Sequence, residues 1–302
     1  MQPSGKKCNM FAMDAYIDIQ HIRTLIQLAL TEDIGRGDLT AQAVPENTEA
    51  VANIVAKSAC VLSGLKLIPL ILEEAQVDAK YYSEYADGLE VKQNTIICTF
   101  SGNARKLLSV ERVILNFLQR FCGIATQAAL YKKTLGKEFS HVKILDTRKT
   151  TPGFRVLEKQ AVKDGGLYNH RGSLDTGILI KENHIRAAGG ITKTVEALAG
   201  KVPQGFLLEV EVTNLAEAQE AIHAGAEALL LDNFSSDELK NVVAKIRENS
   251  SNLFLEASGG ITLDNLCAYA STGVDAISIG ALTHSVKAAD LSMLFTFEGQ
   301  EE

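Results

Sequence analysis

Six short apolar runs recur through the second half of the chain, each closing on a polar residue or a glycine before an amphipathic stretch begins. They occupy 141–145, 176–180, 206–212, 228–231, 253–255 and 276–279. Between them, stretches such as 215–224 and 237–247 carry helical periodicity, with Leu239, Val242, Val243 and Ile246 on one face. Near-continuous apolar strands suit a parallel sheet covered on both sides, and strands alternating with helices point to a (β/α) barrel or a doubly wound sheet. The polar residues favour the barrel. Asp146, Lys181, Glu211, Asp232, Ser258 and Gly280 all fall at or just after the carboxyl end of a run, where barrel enzymes collect their chemistry. Six runs fall short of an eightfold barrel, so an incomplete one is expected.

The first half reads differently. A helix is expected near 18–30, a strand at 51–57, a helix at 65–74 and a strand pair or hairpin at 90–100. A long helical pattern then runs from Ala104 to about Leu135, on which Leu107, Leu108, Val110, Val113, Ile114, Phe117 and Leu118 keep helical spacing. Arg112 and Arg120 lie among these close-packed positions. The reading is an α+β domain feeding the barrel through a helix. The stretch 149–175 has no strand pattern and is rich in Gly, Lys, Arg and His, so it is expected to be a long functional loop.

Composition narrows the function classes. Of 302 residues, 46% are hydrophobic and 22% charged, which is enough apolar material for one large core or two modest ones. The net charge is -7 without a block of like charges, so neither nucleic acid nor a membrane is expected as a partner, and any anion site must be local. Cys8, Cys60, Cys98, Cys122 and Cys267 are scattered, with no Cys-x-x-Cys pair, which suits a reducing compartment and thiols that act as small hydrophobes. Residues 1–20 mix charges with short apolar runs and resemble neither a secretory signal nor a spanning helix. A cytoplasmic location is expected.

Five constellations carry candidate chemistry. Arg148 and Lys149, on a turn ended by Pro152 and Gly153, offer a planar fork and a point charge to an anion, although such pairs on a surface turn are often only solvated. Asn169-His170-Arg171 closes the long loop and can hold a carboxylate through charge-assisted hydrogen bonds. Lys181, at a strand end in Lys181-Glu182-Asn183-His184, can bind phosphate or form a Schiff base, and the residues alone leave both open. Glu211 and Asp232 end neighbouring runs, and strands about 4.8 Å apart let two such carboxylates share a Mg²⁺ or face a developing cation. Period two puts Glu209 on the same side as Glu211. Last come Ser258-Gly259-Gly260 and Ser278-Ile279-Gly280-Ala281, two glycine turns between strand and helix, of the kind that cradle a phosphate after the final strands of a barrel. Together these describe a pocket for a polyanionic sugar phosphate and an acidic co-substrate.

Six segments in register carry a family likeness: Glu32 to Thr40, Asp146 to Gly153, Asn169-His170-Arg171, Lys181 to His184, Glu209-Val210-Glu211, and Leu231-Asp232-Asn233-Phe234. Over about residues 20 to 290 the chain resembles the quinolinate phosphoribosyltransferases. The resemblance implies an N-terminal α/β sandwich domain over 1–123, an incomplete TIM-like (β/α) barrel over 124–284, and a tail, 285–302, that packs back on the first domain. It implies transfer of phosphoribosyl from phosphoribosyl pyrophosphate to quinolinate with decarboxylation, giving nicotinate mononucleotide in NAD biosynthesis, with Mg²⁺ as cofactor. It further implies a homodimer or larger homo-oligomer in which Arg112 is donated across the interface. Arg148, His170 and Arg171 would then hold the quinolinate carboxylates. Lys149 and Lys181 would bind the pyrophosphate side or both substrates, and Glu211 and Asp232 would organise Mg²⁺ and the ribose. Ser258, Gly259, Gly260, Ser278, Gly280 and His284 would carry the 5′-phosphate side. One departure is Cys122-Gly123, where the family often has Ser-Gly. A related transferase for another aromatic acid, a Schiff-base aldolase on Lys181 and a non-catalytic phosphometabolite-binding protein stand as alternatives, since fold does not fix function.

Overall fold

The computed structural model describes residues 18–297. Most of the expectation for residues 1–20, Cys8 included, and the end of the tail lie outside the described residues. The chain runs through α1 (Ile19–Ile34), β1 (Glu49–Ala56), β2 (Cys60–Val61), α2 (Ile68–Glu74), β3 (Ala79–Tyr82), β4 (Glu90–Val91), β5 (Ile96–Asn103) and α3 (Ala104–Leu135). It continues with β6 (Lys143–Leu145), α4 (Arg155–Asp164), β7 (Ile178–Ile180), α5 (Glu182–Ala188), α6 (Ile191–Leu198), β8 (Leu208–Val212) and α7 (Leu215–Ala224). Then come β9 (Ala228–Asp232), α8 (Ser236–Asn249), β10 (Phe254–Ser258), α9 (Leu266–Ala270), β11 (Ala276–Ser278), α10 (Ala281–His284) and β12 (Leu291–Phe297). These form two compact units that are not contiguous in sequence. One holds residues 18–130, Thr150–Gly166 and 282–297, and the other Tyr131–Lys149 and Leu167–Ala281.

The first unit is built on an antiparallel sheet in the order β12-β1-β5-β3. On β1, Ala50, Ala52 and Ile54 are buried at period two while Glu49 and Val51 face out, so one face of the sheet makes core. β12, from the far end of the chain, pairs with β1 from Leu291↔Ala56 to Phe297↔Ala50. The strand pair expected at 90–100 does not form. β4 pairs with β2 and β5 pairs with β1 and β3, because Val91 and Ile97 are each buried in separate sheets. On α3, Leu107, Val110, Val113, Ile114, Phe117, Leu118 and Phe121 are buried at three- and four-residue spacing. The helix is long and apolar enough to cross a membrane, yet 61% of its most apolar stretch is buried inside the protein, as in a core helix.

The stretch 149–175, read as one long loop, contains α4. That helix buries Leu157, Ala161 and Val162, but also Glu158 and Lys159, so its apolar stripe is too thin to register as periodicity. Arg120 on α3 donates to Glu158 Oε1 from Nε at 3.1 Å and from Nη2 at 2.7 Å, and its Nη2 also reaches the Thr283 carbonyl at 2.7 Å. Cys122 Sγ accepts from Ser63 N–H at 3.3 Å and donates to the Ser63 carbonyl at 3.4 Å. Gly123 follows because any side chain would strike the Lys287 carbonyl, 2.4 Å from where its Cβ would sit.

The second unit is a six-stranded parallel sheet in the order β6-β11-β10-β9-β8-β7. Its first strand in sequence pairs with its last, so the sheet curls round with a single gap between β6 and β7. This is the incomplete barrel. Tyr168 lines part of the gap, bridging Leu145 through Tyr168 N–H to the Ile144 carbonyl at 3.1 Å and Asp146 N–H to the Tyr168 carbonyl at 3.2 Å. Leu229, Leu230 and Leu231 are consecutive and all buried, as strands covered on both faces require. Helix starts are set by short polar side chains. Asn214 caps α7, and Ser235 with Glu238 forms a capping box at α8.

Candidate active site

The carboxyl ends of the strands in the second unit surround a cavity of about 550 Å³. At the end of β6, Asp146 is fully buried and works as a bracket. Its Oδ1 accepts His170 N–H at 2.8 Å and its Oδ2 accepts from Asn169 Nδ2 at 2.6 Å, which ties the 169–171 segment to the turn carrying Arg148 and Lys149. Lys149 N–H donates to Thr147 Oγ1 at 3.0 Å, closing that turn. Arg171 is buried and donates to the Gly177 carbonyl at 2.9 Å. Burial first, and then the charge of Arg148, lower its pKa, while Glu209 opposes the shift. Two guanidinium groups held this close favour an anion between them.

Across the cavity the arrangement is mixed in sign. Lys181, at the end of β7, places Nζ 2.7 Å from Glu211 Oε2 at the end of β8. Its backbone N–H donates to His184 Nδ1 at 3.0 Å, so His184 serves the start of α5. Asp232 ends β9, where burial and then the charge of Glu211 raise its carboxyl pKa, against Ser258, Lys181 and Lys149. Asn233 follows in a left-handed conformation, with φ of 60°, and donates from Nδ2 to Asp232 Oδ2 at 2.6 Å. Its backbone N–H reaches the Ser258 carbonyl at 2.9 Å, and Gly259 then has no room for a side chain, because a Cβ there would lie 2.2 Å from Asn233 Oδ1. Ser258, Gly259 and Gly260 line the cavity after β10, and Ser278 lines it from β11.

Below this mouth lies a buried cluster. His170 Nε2 stands 3.4 Å from Glu209 Oε2 and 3.5 Å from Glu256 Oε2. Its Nδ1 accepts the Arg171 N–H at 2.7 Å. Glu209 Oε1 and both oxygens of Glu256 have no hydrogen-bond partner.

The structure therefore brings Arg148, Lys149, His170, Arg171, Lys181, Glu211, Asp232, Ser258, Gly259, Gly260 and Ser278 to one cavity. Three residues named from the sequence are not among its lining. Arg112 is exposed on α3 and His284, at the end of α10, is exposed with Nδ1 2.6 Å from Ser285 Oγ; both belong to the first unit. Gly280 lies just past β11 in the second. Sequence reasoning missed Asp146 as a bracket, Asn233 as the residue that excludes a side chain at Gly259, and Glu256 as a lining acid. Glu256 had a signal, since period two places it on the same side of β10 as Ser258.

Two family models match the chain. The N-terminal domain of quinolinate phosphoribosyl transferase matches residues 38–122 and its C-terminal domain matches 124–294. The chain is 41% identical to the probable nicotinate-nucleotide pyrophosphorylase (carboxylating) of Synechocystis sp., over 89% of this chain and 90% of that one. It is 40% identical to the protein of the same name in Bacillus subtilis, over 92% and 95%. A solved structure of the nicotinate-nucleotide pyrophosphorylase from Francisella tularensis superposes with a TM-score of 0.85 at 39% identity, covering 92% of this chain and 96% of that one. The human nicotinic acid phosphoribosyltransferase shares the fold alone, at a TM-score of 0.64 and 12% identity.

Proposed function

Because the chain belongs to the quinolinate phosphoribosyltransferase family, we propose that it transfers phosphoribosyl from phosphoribosyl pyrophosphate to quinolinate with loss of CO2, giving nicotinate mononucleotide and pyrophosphate for de novo NAD synthesis. The single observation that carries the site assignment is the sorting of charge across one cavity. Arg148 and Arg171 lie together on one wall, and Lys181, Glu211 and Asp232 lie on another. A diacid meets the first wall and a sugar pyrophosphate the second.

Arg148 and Arg171 receive the quinolinate carboxylates, and His170 fixes the Arg171 backbone beside them. Lys149 and Lys181 receive the pyrophosphate as it leaves. The ribose carbon then develops oxocarbenium character, and Glu211 and Asp232 face that positive charge. Ser258, Gly259, Gly260, Ser278 and Gly280 take the 5′-phosphate, the glycines allowing backbone approach. Alkylation makes the pyridine nitrogen cationic, so the carbanion left by decarboxylation is stabilised within the substrate itself.

Glu211 and Asp232 also suit Mg²⁺. They are hard oxygen donors, and the charge of one raises the carboxyl pKa of the other, a strain that a divalent cation relieves. Held by Glu211 and Asp232, such an ion would supply positive charge to the leaving pyrophosphate. Lys181, paired with Glu211, supplies part of that charge. Arg112, exposed on α3, is assigned to the site of a second copy, so the working form is a homodimer or larger assembly, and the cytoplasm is its place of action. Catalysis is assigned to residues 124–284.

Purified protein incubated with phosphoribosyl pyrophosphate and Mg²⁺ is expected to form nicotinate mononucleotide from quinolinate and nothing from nicotinate. The reverse preference contradicts the assignment of the acid. Lys181→Ala is expected to lower turnover about a hundredfold or more, by analogy with removal of a single charge-stabilising group.

A further inference from the structure

We infer that Asn233 is a positioning residue for the phosphoribosyl side of the reaction: one amide that ties the Asp232 carboxylate to the Gly259 turn, so that the acid facing the ribose and the cradle for the 5′-phosphate keep a fixed spacing. The inference rests on the function proposed above, and it starts from the backbone. Among the described residues, three that are not glycine have positive φ: Gln76 at 53°, Asn94 at 65° and Asn233 at 60°. The first two have local reasons. Gln76 closes α2, where Val77 N–H returns to the Leu72 carbonyl at 2.9 Å, and Asn94 sits in the turn between β4 and β5. Asn233 has no such reason. It follows β9, and the start of α8 beyond it is already capped by Ser235 and Glu238. A left-handed residue that neither ends a helix nor turns a hairpin, placed at the lip of a cavity, points to a role in that site.

The side chain shows what this conformation secures. An ionised carboxylate only accepts, so the amide nitrogen faces Asp232 Oδ2, 2.6 Å away. That turns the amide oxygen the other way, to where a Cβ on Gly259 would stand 2.2 Å from it. The backbone adds a third tie, from Asn233 N–H to the Ser258 carbonyl at 2.9 Å, one step beyond the last strand pair, Ser258↔Asp232. One residue thus holds the acid that ends β9 and packs against the glycine that follows β10, and both line the same cavity. Few side chains meet these demands. Glycine accepts the backbone but has no amide. Aspartate keeps the shape but sets a second carboxylate against Asp232, and alanine lacks the donor and resists the left-handed region. Asparagine combines tolerance of that region with a donor at one end of a planar group.

Asn233→Gly removes the amide and leaves the backbone at ease, so it isolates the tie, whereas Asn233→Asp replaces the donor by an acceptor of the same shape. In steady-state kinetics with quinolinate, phosphoribosyl pyrophosphate and Mg²⁺, Asn233→Gly is expected to lower kcat/KM for phosphoribosyl pyrophosphate roughly tenfold or more, and Asn233→Asp to lower it further. The KM for quinolinate should stay within about twofold of the wild type in both, since a lost tie on the phosphoribosyl side leaves the acid-binding wall alone. The Tm of Asn233→Gly should match that of the wild type. An Asn233→Gly enzyme with wild-type kcat/KM for phosphoribosyl pyrophosphate overturns the inference. So does a variant in which Tm falls and both KM values rise together, the result expected of a residue that only supports the fold. Crystal structures of the wild type and Asn233→Gly, both free of substrate, read the positioning without turnover: the Asp232 carboxylate is expected to leave its wild-type place, and an unmoved carboxylate refutes the tie. A wild type that does not use quinolinate would sink the function proposed above and leave the crystallographic result to decide the tie by itself.

Discussion

Glu158 in the first unit and Glu256 in the second are both completely buried, and their surroundings are opposites. Glu158 accepts two hydrogen bonds from Arg120, at 3.1 and 2.7 Å, and a third from Thr151 N–H at 3.2 Å. Glu256 has no guanidinium fork: His170 Nε2 stands 3.5 Å from its Oε2, and burial with the charge of Glu209 raises its carboxyl pKa against His170, Ser278 and Lys181. The first is a solved electrostatic problem, in which burial is offset by a guanidinium fork that joins α3 to α4. The second is left unsolved at the floor of a cavity lined with cations. A buried acid with a raised pKa at the edge of a pocket is the signature of a site shaped for a ligand rather than for stability.

The contrast can be broken most severely at Glu158. Arg120→Ala leaves that carboxylate buried and unpaired, and urea denaturation is expected to register a loss of about 2 to 4 kcal/mol, the lower end reflecting the partial exposure of the arginine. A smaller but more local effect is expected from Gly259→Ala. Its methyl would meet Asn233 Oδ1 at 2.2 Å in a backbone with φ of 96°, so the KM for phosphoribosyl pyrophosphate should rise roughly tenfold or more, about 1.4 kcal/mol, with the fold retained by circular dichroism.

Glu256→Gln should move stability the other way. A carboxyl raised from 4.5 to about 7 in the folded state stabilises the fold fully below the unfolded value, and that contribution is lost as pH rises through 7. Glutamine suffers no such loss, so thermal unfolding at pH 8 should place the variant a few degrees above the wild type, and the difference should disappear near pH 4. An equal Tm at both pH values would remove the distinction from Glu158. Smallest of all is Cys122→Ser. The thiol already makes the donor and acceptor contacts with Ser63 that a hydroxyl would make, so the change in stability should stay under about 1 kcal/mol by denaturant titration.

The barrel was legible because its strands are buried on both faces and announce themselves as apolar runs. The residues that end them, Lys181, Glu211 and Asp232, could then be placed by position alone. Less was legible where burial and polarity part company. α4 escaped detection because it buries Glu158 and Lys159 on the side an amphipathic pattern would fill with leucine. β4 and β5 looked like a hairpin because nearness in sequence is the only pairing information a single chain offers, whereas their true partners are β2 and β1. Glu256 went unread, since the apolar run that marks its strand stops at 255, although period two places it on the same side of β10 as Ser258.

The central claim is that the two charged walls of one cavity join a pyridine diacid to a sugar pyrophosphate and discard a carboxyl group. It is tested most directly by giving the protein quinolinate labelled in its 2-carboxyl group, with phosphoribosyl pyrophosphate and Mg²⁺, and counting labelled CO2 against pyrophosphate in the same reaction. The account predicts equal amounts of each, in step with nicotinate mononucleotide. Pyrophosphate without labelled CO2, or release of neither, would contradict it.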